Sequence, residues 1–201
     1  MANNYRVKTL TDVKTPMRDG VDLSSDIYLP DTYGTFPTVL IRTPYDNTQE
    51  RTVEKARRLA SNGYACVAQD VRGRWDSDGR WYALVNEGKD GYDTQEWIGR
   101  QEWSDGKIGM SGSSYLGHVQ WQSAQYASDF LTCIAPRVIQ CDFYHALYYG
   151  GAFNLHLLIT WGMSTSGRTR QTISYENWTE AFRILPLIDM DEIAGYDIDF
   201  W

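Results

Sequence analysis

The stretch that decides the fold is Ile108-Gly109-Met110-Ser111-Gly112-Ser113-Ser114-Tyr115-Leu116-Gly117. It predicts an apolar strand that runs into a very tight turn, with a helix beginning directly after the turn. This order is typical of a nucleophile elbow, which holds a serine hydroxyl above the carboxyl ends of a parallel sheet. Helical periodicity beginning at Tyr115 places the apex at Ser114. Only small residues fit beside such a turn, and Gly112 and Gly117, at −2 and +3 from Ser114, meet that need.

Two other interpretations of this stretch stay open. Ser111 is a second candidate apex, because Gly109 lies at −2 and Ser113 at +2 from it. The stretch also fits a plain Gly/Ser-rich connection, since Leu116 stands where the ordinary pentapeptide motif has its second glycine. Under the elbow interpretation, the helix amino terminus directs backbone N–H groups toward any oxyanion that forms at the serine.

Strand and helix patterns alternate on both sides of this stretch. Residues 6–10 and 21–29 alternate in the β manner around a turn at Met17-Arg18-Asp19-Gly20, which predicts an antiparallel hairpin. Buried strands are predicted over 36–41, 64–68, 107–110 and 130–135, and helices over 50–62, 91–101 and 115–128. We expect Tyr92, Trp97 and Ile98 to face inward on the second helix and Ala127 on the third. The alternation predicts an α/β fold with a mostly parallel, doubly wound sheet and an N-terminal antiparallel hairpin.

The pattern changes near residue 142. The segment 143–201 is rich in aromatic residues and shows helical stretches near 177–185 and 187–194, without an obvious strand that returns to the sheet. We therefore predict two parts of the chain. Residues 1–142 form the amino-terminal part of the α/β domain, and residues 143–201 begin a helical cap insertion.

The composition limits the class of protein and its partners. The 201 residues carry 26 acidic and 19 basic side chains, and this net charge of −7 argues against nucleic acid and anionic membranes as partners. The sequence has neither the roughly 20 consecutive apolar residues of a membrane span nor the apolar region of a secretory signal. Three cysteines are too few for a disulfide scaffold, so we expect a soluble, cytoplasmic protein. An aromatic share of 14% favours a pocket lined by rings.

The sequence predicts no cofactor and no metal site. Cys66, Cys133 and Cys141 do not combine with histidines at a spacing suited to zinc. The segment Asp76-Ser77-Asp78-Gly79 lacks the third oxygen ligand and the closing glutamate of a calcium loop, so we interpret it as a turn.

The segment Gly112-Ser113-Ser114-Tyr115-Leu116-Gly117, followed by Val119-Gln120-Trp121-Gln122, resembles the cocaine-esterase-like (CocE/NonD) serine hydrolases of the X-prolyl dipeptidyl peptidase superfamily. Four more segments agree in the same order: Met17-Arg18-Asp19-Gly20-Val21, Arg42-Thr43-Pro44-Tyr45-Asp46, Gln69-Asp70-Val71-Arg72-Gly73 and Trp103-Ser104-Asp105-Gly106-Lys107-Ile108-Gly109. The resemblance is collinear from about residue 7 to about residue 160. It implies an α/β-hydrolase fold, with residues 1–142 as the amino-terminal part of its catalytic domain.

The resemblance also implies roles for three residues. Ser114 would be the nucleophile that attacks the carbonyl of a small ester or amide and forms an acyl-enzyme, which water then hydrolyses. The backbone N–H of Tyr115 and the phenol of Tyr45 would donate hydrogen bonds to the oxyanion. Asp70 and Arg72 follow a predicted strand, and we interpret them as an ion pair that pins the loop beneath the site.

The sequence does not supply an evident base for Ser114. His118 lies one turn later on the same helix, while His145 and His156 lie in or near the cap, so none suits the geometry of a base on a separate loop. In the family, the acid and the histidine follow two later strands beyond the cap. The resemblance therefore implies a hydrolase truncated within its helical cap, with an unpaired parallel strand edge. Dimerisation, or complementation by a carboxyl-terminal piece, would then be expected.

The sequence leaves three alternatives open. An X-prolyl dipeptidyl peptidase or an α-amino acid ester hydrolase would require a free substrate amine, and therefore carboxylates in the pocket. A non-catalytic binding domain derived from a hydrolase would keep the aromatic pocket and leave Ser114 unreactive. A serine site could also be completed by His145, by His156 or by another chain.

Overall fold

The computed structural model describes residues 4–140, 142–165, 167–169, 179, 182–186 and 189. The chain divides into two compact units, Met1–Ile139 and Gln140–Trp201, and each is described by itself.

The first unit is built on a six-stranded mixed sheet. Its strands are β1 (Val7–Pro16), β2 (Asp22–Pro30), β3 (Phe36–Thr43), β4 (Ala65–Asp70), β5 (Ser104–Ser113) and β6 (Leu131–Arg137), in the spatial order β1-β2-β4-β3-β5-β6. β1 and β2 are antiparallel, β2 pairs antiparallel with β4, and β4, β3, β5 and β6 are parallel. The predicted hairpin and the predicted parallel sheet are both confirmed.

Helices cover both faces of this sheet. Ala56 and Ala60 of α1 (Glu50–Ser61) lie in a buried cluster with Ile41 and Cys66. Successive side chains of a strand point to opposite faces, so the neighbours of Ile41 and Cys66 along their strands face away from α1. There Met110 accepts hydrogen bonds from side chains of α2 (Glu87–Gly99) and α3 (Tyr115–Ala124). The doubly wound arrangement predicted from the sequence is therefore confirmed.

The first helix ends where the sequence predicted. Gly63 has φ of 94°, its N–H bonds to the carbonyl of Ala60, and the N–H of Tyr64 bonds to the carbonyl of Leu59. This pair of bonds is the Schellman arrangement, in which a residue with positive φ closes the helix, and glycine adopts that conformation without steric cost.

The other two helices differ from the prediction. α3 ends at Ala124 instead of residue 128, and Ala127, expected on the inner face, is exposed with φ of 52° in a following turn. α2 begins at Glu87, four residues earlier than predicted, and Tyr92 and Trp97 are only half-buried. Its buried face is polar apart from Ile98, because it packs against charged and amide side chains of the sheet, and apolar periodicity does not reveal such a face.

The second unit contains short elements. They are α4 (Phe143–Leu147), the two-stranded hairpin β7 (Tyr148–Tyr149) and β8 (Ala152–Phe153), and α5 (Leu155–Thr165). The sequence did not predict the β7–β8 hairpin. Of the helices predicted near 177–185 and 187–194, the structure describes only residues 179, 182–185 and 189, and the rest of both predictions lies outside the described residues. Within the described part of the chain, no helix has the length and apolar content needed to cross a membrane.

Candidate active site

Ser114 lies at the apex of the turn between β5 and α3, as the sequence predicted. Its backbone has φ of 57° and ψ of −126°, and the residue is exposed. A non-glycine residue with positive φ is strained and persists only where its surroundings hold it. Here the Ser114 N–H donates to the carbonyl of Arg137 at 2.9 Å, and the Ser114 carbonyl accepts from the N–H of Gly117 at 2.8 Å. The turn is thus tied to β6 on one side and to the helix on the other.

The two glycines beside this turn are required by close packing. A Cβ atom on Gly112 would lie 2.3 Å from the Cβ of Leu116, and one on Gly117 would lie 2.4 Å from the Cγ2 of Ile139. Both distances are far below an ordinary carbon–carbon contact. The glycines at −2 and +3 from Ser114 therefore allow strand, turn and helix to approach one another.

Ser111 does not form the turn. It lies inside β5 opposite Ala135 of β6, and its hydroxyl accepts a hydrogen bond from the ammonium group of Lys55 at 2.9 Å. A residue in the middle of a paired strand cannot be the apex, so the Ser111 alternative is wrong.

The topology brings Tyr45 next to the elbow. Tyr45 follows β3, which is the parallel neighbour of β5, so both strands end at the same edge of the sheet. The ring of Tyr45 meets the ring of Tyr115 edge to face, with centroids 6.4 Å apart and planes at 73°. Tyr45 and the residue that follows Ser114 are therefore in direct contact.

Hydrogen bonds fix the loop that carries Tyr45. The Pro44 carbonyl accepts from the Nε of Arg74 at 2.9 Å and from the Nε1 of Trp75 at 3.1 Å. On the other side of Tyr45, the N–H of Asn47 donates to the Oδ1 of Asp70 at 2.8 Å. The backbone on both sides of Tyr45 is thus held by side chains from the loop after β4 and from the end of β4 itself.

The predicted Asp70–Arg72 pair is wrong. Arg72 binds Asp90 of α2 and Asp19 of the hairpin turn, with closest contacts of 2.7 and 2.8 Å. Asp70 is buried and binds the Tyr45 loop instead. Burial raises the pKa of Asp70 to about 8, and burial lowers the pKa of the neighbouring Arg74 guanidinium to about 10. The reason is topological, because the chain turns after Asp70 and carries Arg72 toward α2.

The raised pKa of Asp70 predicts a loss of stability toward alkaline pH. A carboxyl group whose folded-state pKa exceeds its ordinary value of 3.8 stabilises the fold at low pH, and this contribution is lost as the pH rises toward 8. We expect the unfolding free energy of the parent chain, relative to that of Asp70→Asn, to fall between about pH 5 and about pH 8, by up to about 1.4 kcal/mol per pH unit. Urea unfolding at several pH values measures this difference.

The control for this prediction is Asp31→Asn, because Asp31 is an exposed carboxylate on a loop. Its difference from the parent is expected to stay constant over the same interval. A constant difference for Asp70→Asn as well would contradict the prediction.

A buried polar network lies under the elbow, and sequence reasoning missed it. The Tyr115 hydroxyl donates to the Oε1 of Glu87 at 2.7 Å, and the Oε2 of Glu87 lies 2.8 Å from the Nη1 of Arg42. Burial and the adjacent Glu87 carboxylate hold the pKa of Tyr115 well above its ordinary value, which keeps the phenol a donor. Two features of the sequence could have indicated this network. Arg42 lies near the end of an apolar strand, and Glu87 has the spacing of the inward-facing residues of α2.

The three histidines occupy different surroundings. His118 is half-buried on α3, its backbone N–H donates to the carbonyl of Ser114, and burial lowers the pKa of its imidazole. In the second unit, His145 Nδ1 lies 2.6 Å from the Oδ2 of Asp142, and this contact lowers the pKa of Asp142. The ring of His156 packs against Phe182 with centroids 5.6 Å apart. That none of these three histidines is the base for Ser114 stays a prediction.

A strained serine between a parallel strand and a helix, in a sheet of this topology, defines the α/β-hydrolase class. The same architecture occurs in the solved structure of an α-amino acid ester hydrolase, with a TM-score of 0.72 and 27% identity over 96% of this chain and 36% of that one. The chain belongs to the X-Pro dipeptidyl-peptidase (S15) family, whose sequence profile matches residues 19–191.

Named relatives agree with this assignment. The chain is 41% identical over 167 residues to cocaine esterase from Rhodococcus sp. (strain MB1 Bresler), covering 79% of this chain and 28% of the esterase. A CocE/NonD family hydrolase from Staphylococcus aureus aligns with a TM-score of 0.58 and 26% identity over 64% of this chain and 27% of that one. The chain thus spans between a quarter and two fifths of the length of these relatives.

Proposed function

We propose that this chain is part of a serine hydrolase that cleaves small esters or amides through an acyl-enzyme on Ser114. The observation that carries the proposal is the strained, exposed Ser114 at the carboxyl edge of a parallel sheet, in a tight turn that Gly112 and Gly117 allow. Such a turn lifts a hydroxyl clear of the backbone and places it at the start of a helix, where backbone N–H groups face a developing negative charge.

The proposed reaction proceeds in two stages. The Ser114 hydroxyl attacks the carbonyl carbon of the substrate while a base takes its proton, and a tetrahedral oxyanion forms. The oxyanion accepts hydrogen bonds from the backbone N–H of Tyr115 and from the phenol of Tyr45. Collapse expels the alcohol or amine with a proton returned by the base, and water then releases the acid from Ser114 by the same steps in reverse order.

We propose that the base and its orienting acid are supplied by polypeptide outside these 201 residues. The chain covers only 28% of the length of cocaine esterase, which leaves ample sequence in such a protein for a further histidine and acid. His118 is poorly suited to the role, since it lies one turn along the helix that begins directly after the nucleophile. A base must approach the hydroxyl from a separate element.

A second candidate is hydrolysis of substrates with a free α-amine. The family is named for X-Pro dipeptidyl peptidases, and the α-amino acid ester hydrolase aligns over 96% of this chain. Such an enzyme would prefer a substrate with a protonated amine over the same ester with the amine acetylated. Comparing the two esters on the completed enzyme distinguishes this activity from a simple esterase.

Labelling with a fluorophosphonate tests the proposed nucleophile. The probe is applied to the chain alone and to a chimera in which the aligned part of this chain replaces the corresponding segment of the Rhodococcus cocaine esterase. We expect the chimera to be labelled at Ser114, as mapped by mass spectrometry, and the chain alone to remain unlabelled. Ser114→Ala in the chimera should abolish labelling, while Ser111→Ala, the matched control, should preserve it.

Each outcome has a distinct meaning. Label on Ser114 in the chain alone would support the nucleophile and contradict the proposal that the base lies elsewhere. A chimera that unfolds cooperatively but takes no label would contradict the serine hydrolase and favour a non-catalytic binding domain.

A further inference from the structure

The buried network under the elbow reaches the residue next to the nucleophile. Glu87 is the first residue of α2, and its carboxylate accepts the hydrogen bond of the Tyr115 hydroxyl. The same phenol oxygen accepts from the N–H of Leu84 at 2.9 Å. The hydroxyl of Tyr115 is thus fixed by two partners, Leu84 just before α2 and Glu87 at the start of α2.

Glu87 is itself held from the sheet. Arg42 on β3 donates to the backbone carbonyl of Glu87 at 2.9 Å and lies 2.8 Å from its carboxylate, and side-chain exposures are 0% for Arg42 and 3% for Glu87. The Nε of Arg42 donates to Gln69 of β4, which also accepts from Thr94 of α2. The position of the Glu87 carboxylate is therefore set by two strands and by its own helix.

Stability alone does not explain this arrangement. Two charges removed from water lose several kcal/mol of hydration each, by order of magnitude, and a well-packed apolar pair of similar volume is often equally stable. What Glu87 does provide is a fixed acceptor for the Tyr115 hydroxyl, and this points to a positional requirement. The requirement is evident at the elbow, because Ser114 has a strained φ of 57° and Tyr115 is its covalent neighbour.

We propose that Glu87 is a positioning residue of the elbow, which fixes Tyr115 and thereby the backbone of Ser114 and the N–H that faces the oxyanion. The catalytic consequence rests on the proposed function, whereas the structural consequence does not. If Tyr115 loses its anchor, the strained turn samples other conformations, and the preorganised N–H group is lost for part of the time.

Amide hydrogen exchange in the 201-residue chain tests the structural consequence. Tyr115→Phe removes one hydroxyl and leaves the backbone in place. We expect exchange at the amides of Ser114 and Gly117 to rise by about tenfold or more relative to the amides of β4. Tyr33→Phe, the control, removes the hydroxyl of a fully exposed tyrosine outside the sheet and should leave that ratio unchanged.

A second variant separates the hydrogen bond from the charge. Arg42→Met combined with Glu87→Gln retains an acceptor for the Tyr115 hydroxyl without a buried charge, and we expect it to keep the parent ratio of elbow to β4 exchange. An unchanged ratio in Tyr115→Phe, or a tenfold rise in the double variant, would overturn the proposal.

The chimera supplies the catalytic readout. There Tyr115→Phe should lower the maximal rate of Ser114 acylation by about tenfold, with little change in the probe concentration that gives half that rate. An equal maximal rate in parent and variant would contradict the positioning of the N–H. A chimera whose Ser114 is never acylated would contradict the proposed function, and the exchange ratio would still decide the role of Glu87.

Discussion

Replacing Tyr45 with phenylalanine is expected to slow the acylation of Ser114 in the chimera by about 10²–10³-fold, because removal of one oxyanion donor has an effect of that size in serine hydrolases. We expect the phenol to act with little reorganisation, because the loop and the ring of Tyr45 are both held in place. Its loop is anchored at Pro44 and Asn47, and its ring rests against Tyr115. Phenylalanine retains the ring contact, so the loss should appear in the rate of acylation.

The measurement is the rate constant of fluorophosphonate labelling at saturating probe, together with the urea midpoint of each variant. Tyr33→Phe serves as the matched control, since Tyr33 is fully exposed. Its labelling rate is expected to equal that of the parent. A Tyr45→Phe variant that labels within about threefold of the parent would show that this phenol donates nothing to the transition state.

Arg42→Met is expected to lower the unfolding free energy by about 3–5 kcal/mol, since removing one partner of a buried pair leaves the other charge unpaired. In this case Glu87 would remain buried at 2% exposure without its counter-ion. The Oε1 of Gln69 would also lose one of its two donors, the Nε of Arg42, and would keep the hydroxyl of Thr94. Urea unfolding followed by tryptophan fluorescence measures the change in the 201-residue chain.

Two comparisons make this result specific. Arg100→Met breaks the exposed pair of Arg100 with Glu96 on α2 and should lower the unfolding free energy by less than about 1 kcal/mol. Adding Glu87→Gln to Arg42→Met removes the orphaned charge and should recover most of the loss. The prediction fails if Arg42→Met resembles Arg100→Met, or if the double variant is less stable than the single one.

The sequence by itself determined the alternation of strands and helices, the hairpin and the elbow. Each of these depends on neighbours along the chain. Two-residue alternation marks the hairpin, Gly63 closes the first helix, and Gly112 and Gly117 fit a turn whose tightness is a local property. The apex at Ser114 followed from the helical periodicity that begins one residue later. The structure excludes Ser111 because that residue lies inside β5, paired with Ala135 of β6.

Tertiary structure alone decided which polar side chains meet beneath the elbow. Arg42, Glu87 and Tyr115 are separated by 45 and 28 residues, and each could be read from the sequence as an ordinary surface side chain. Arg72 illustrates the same limit, because it pairs with Asp19 and Asp90 instead of the nearby Asp70. Periodicity reports which face of a strand or helix is apolar. It does not report which polar groups are paired across the sheet, since that depends on strand order and on the register with which helices pack.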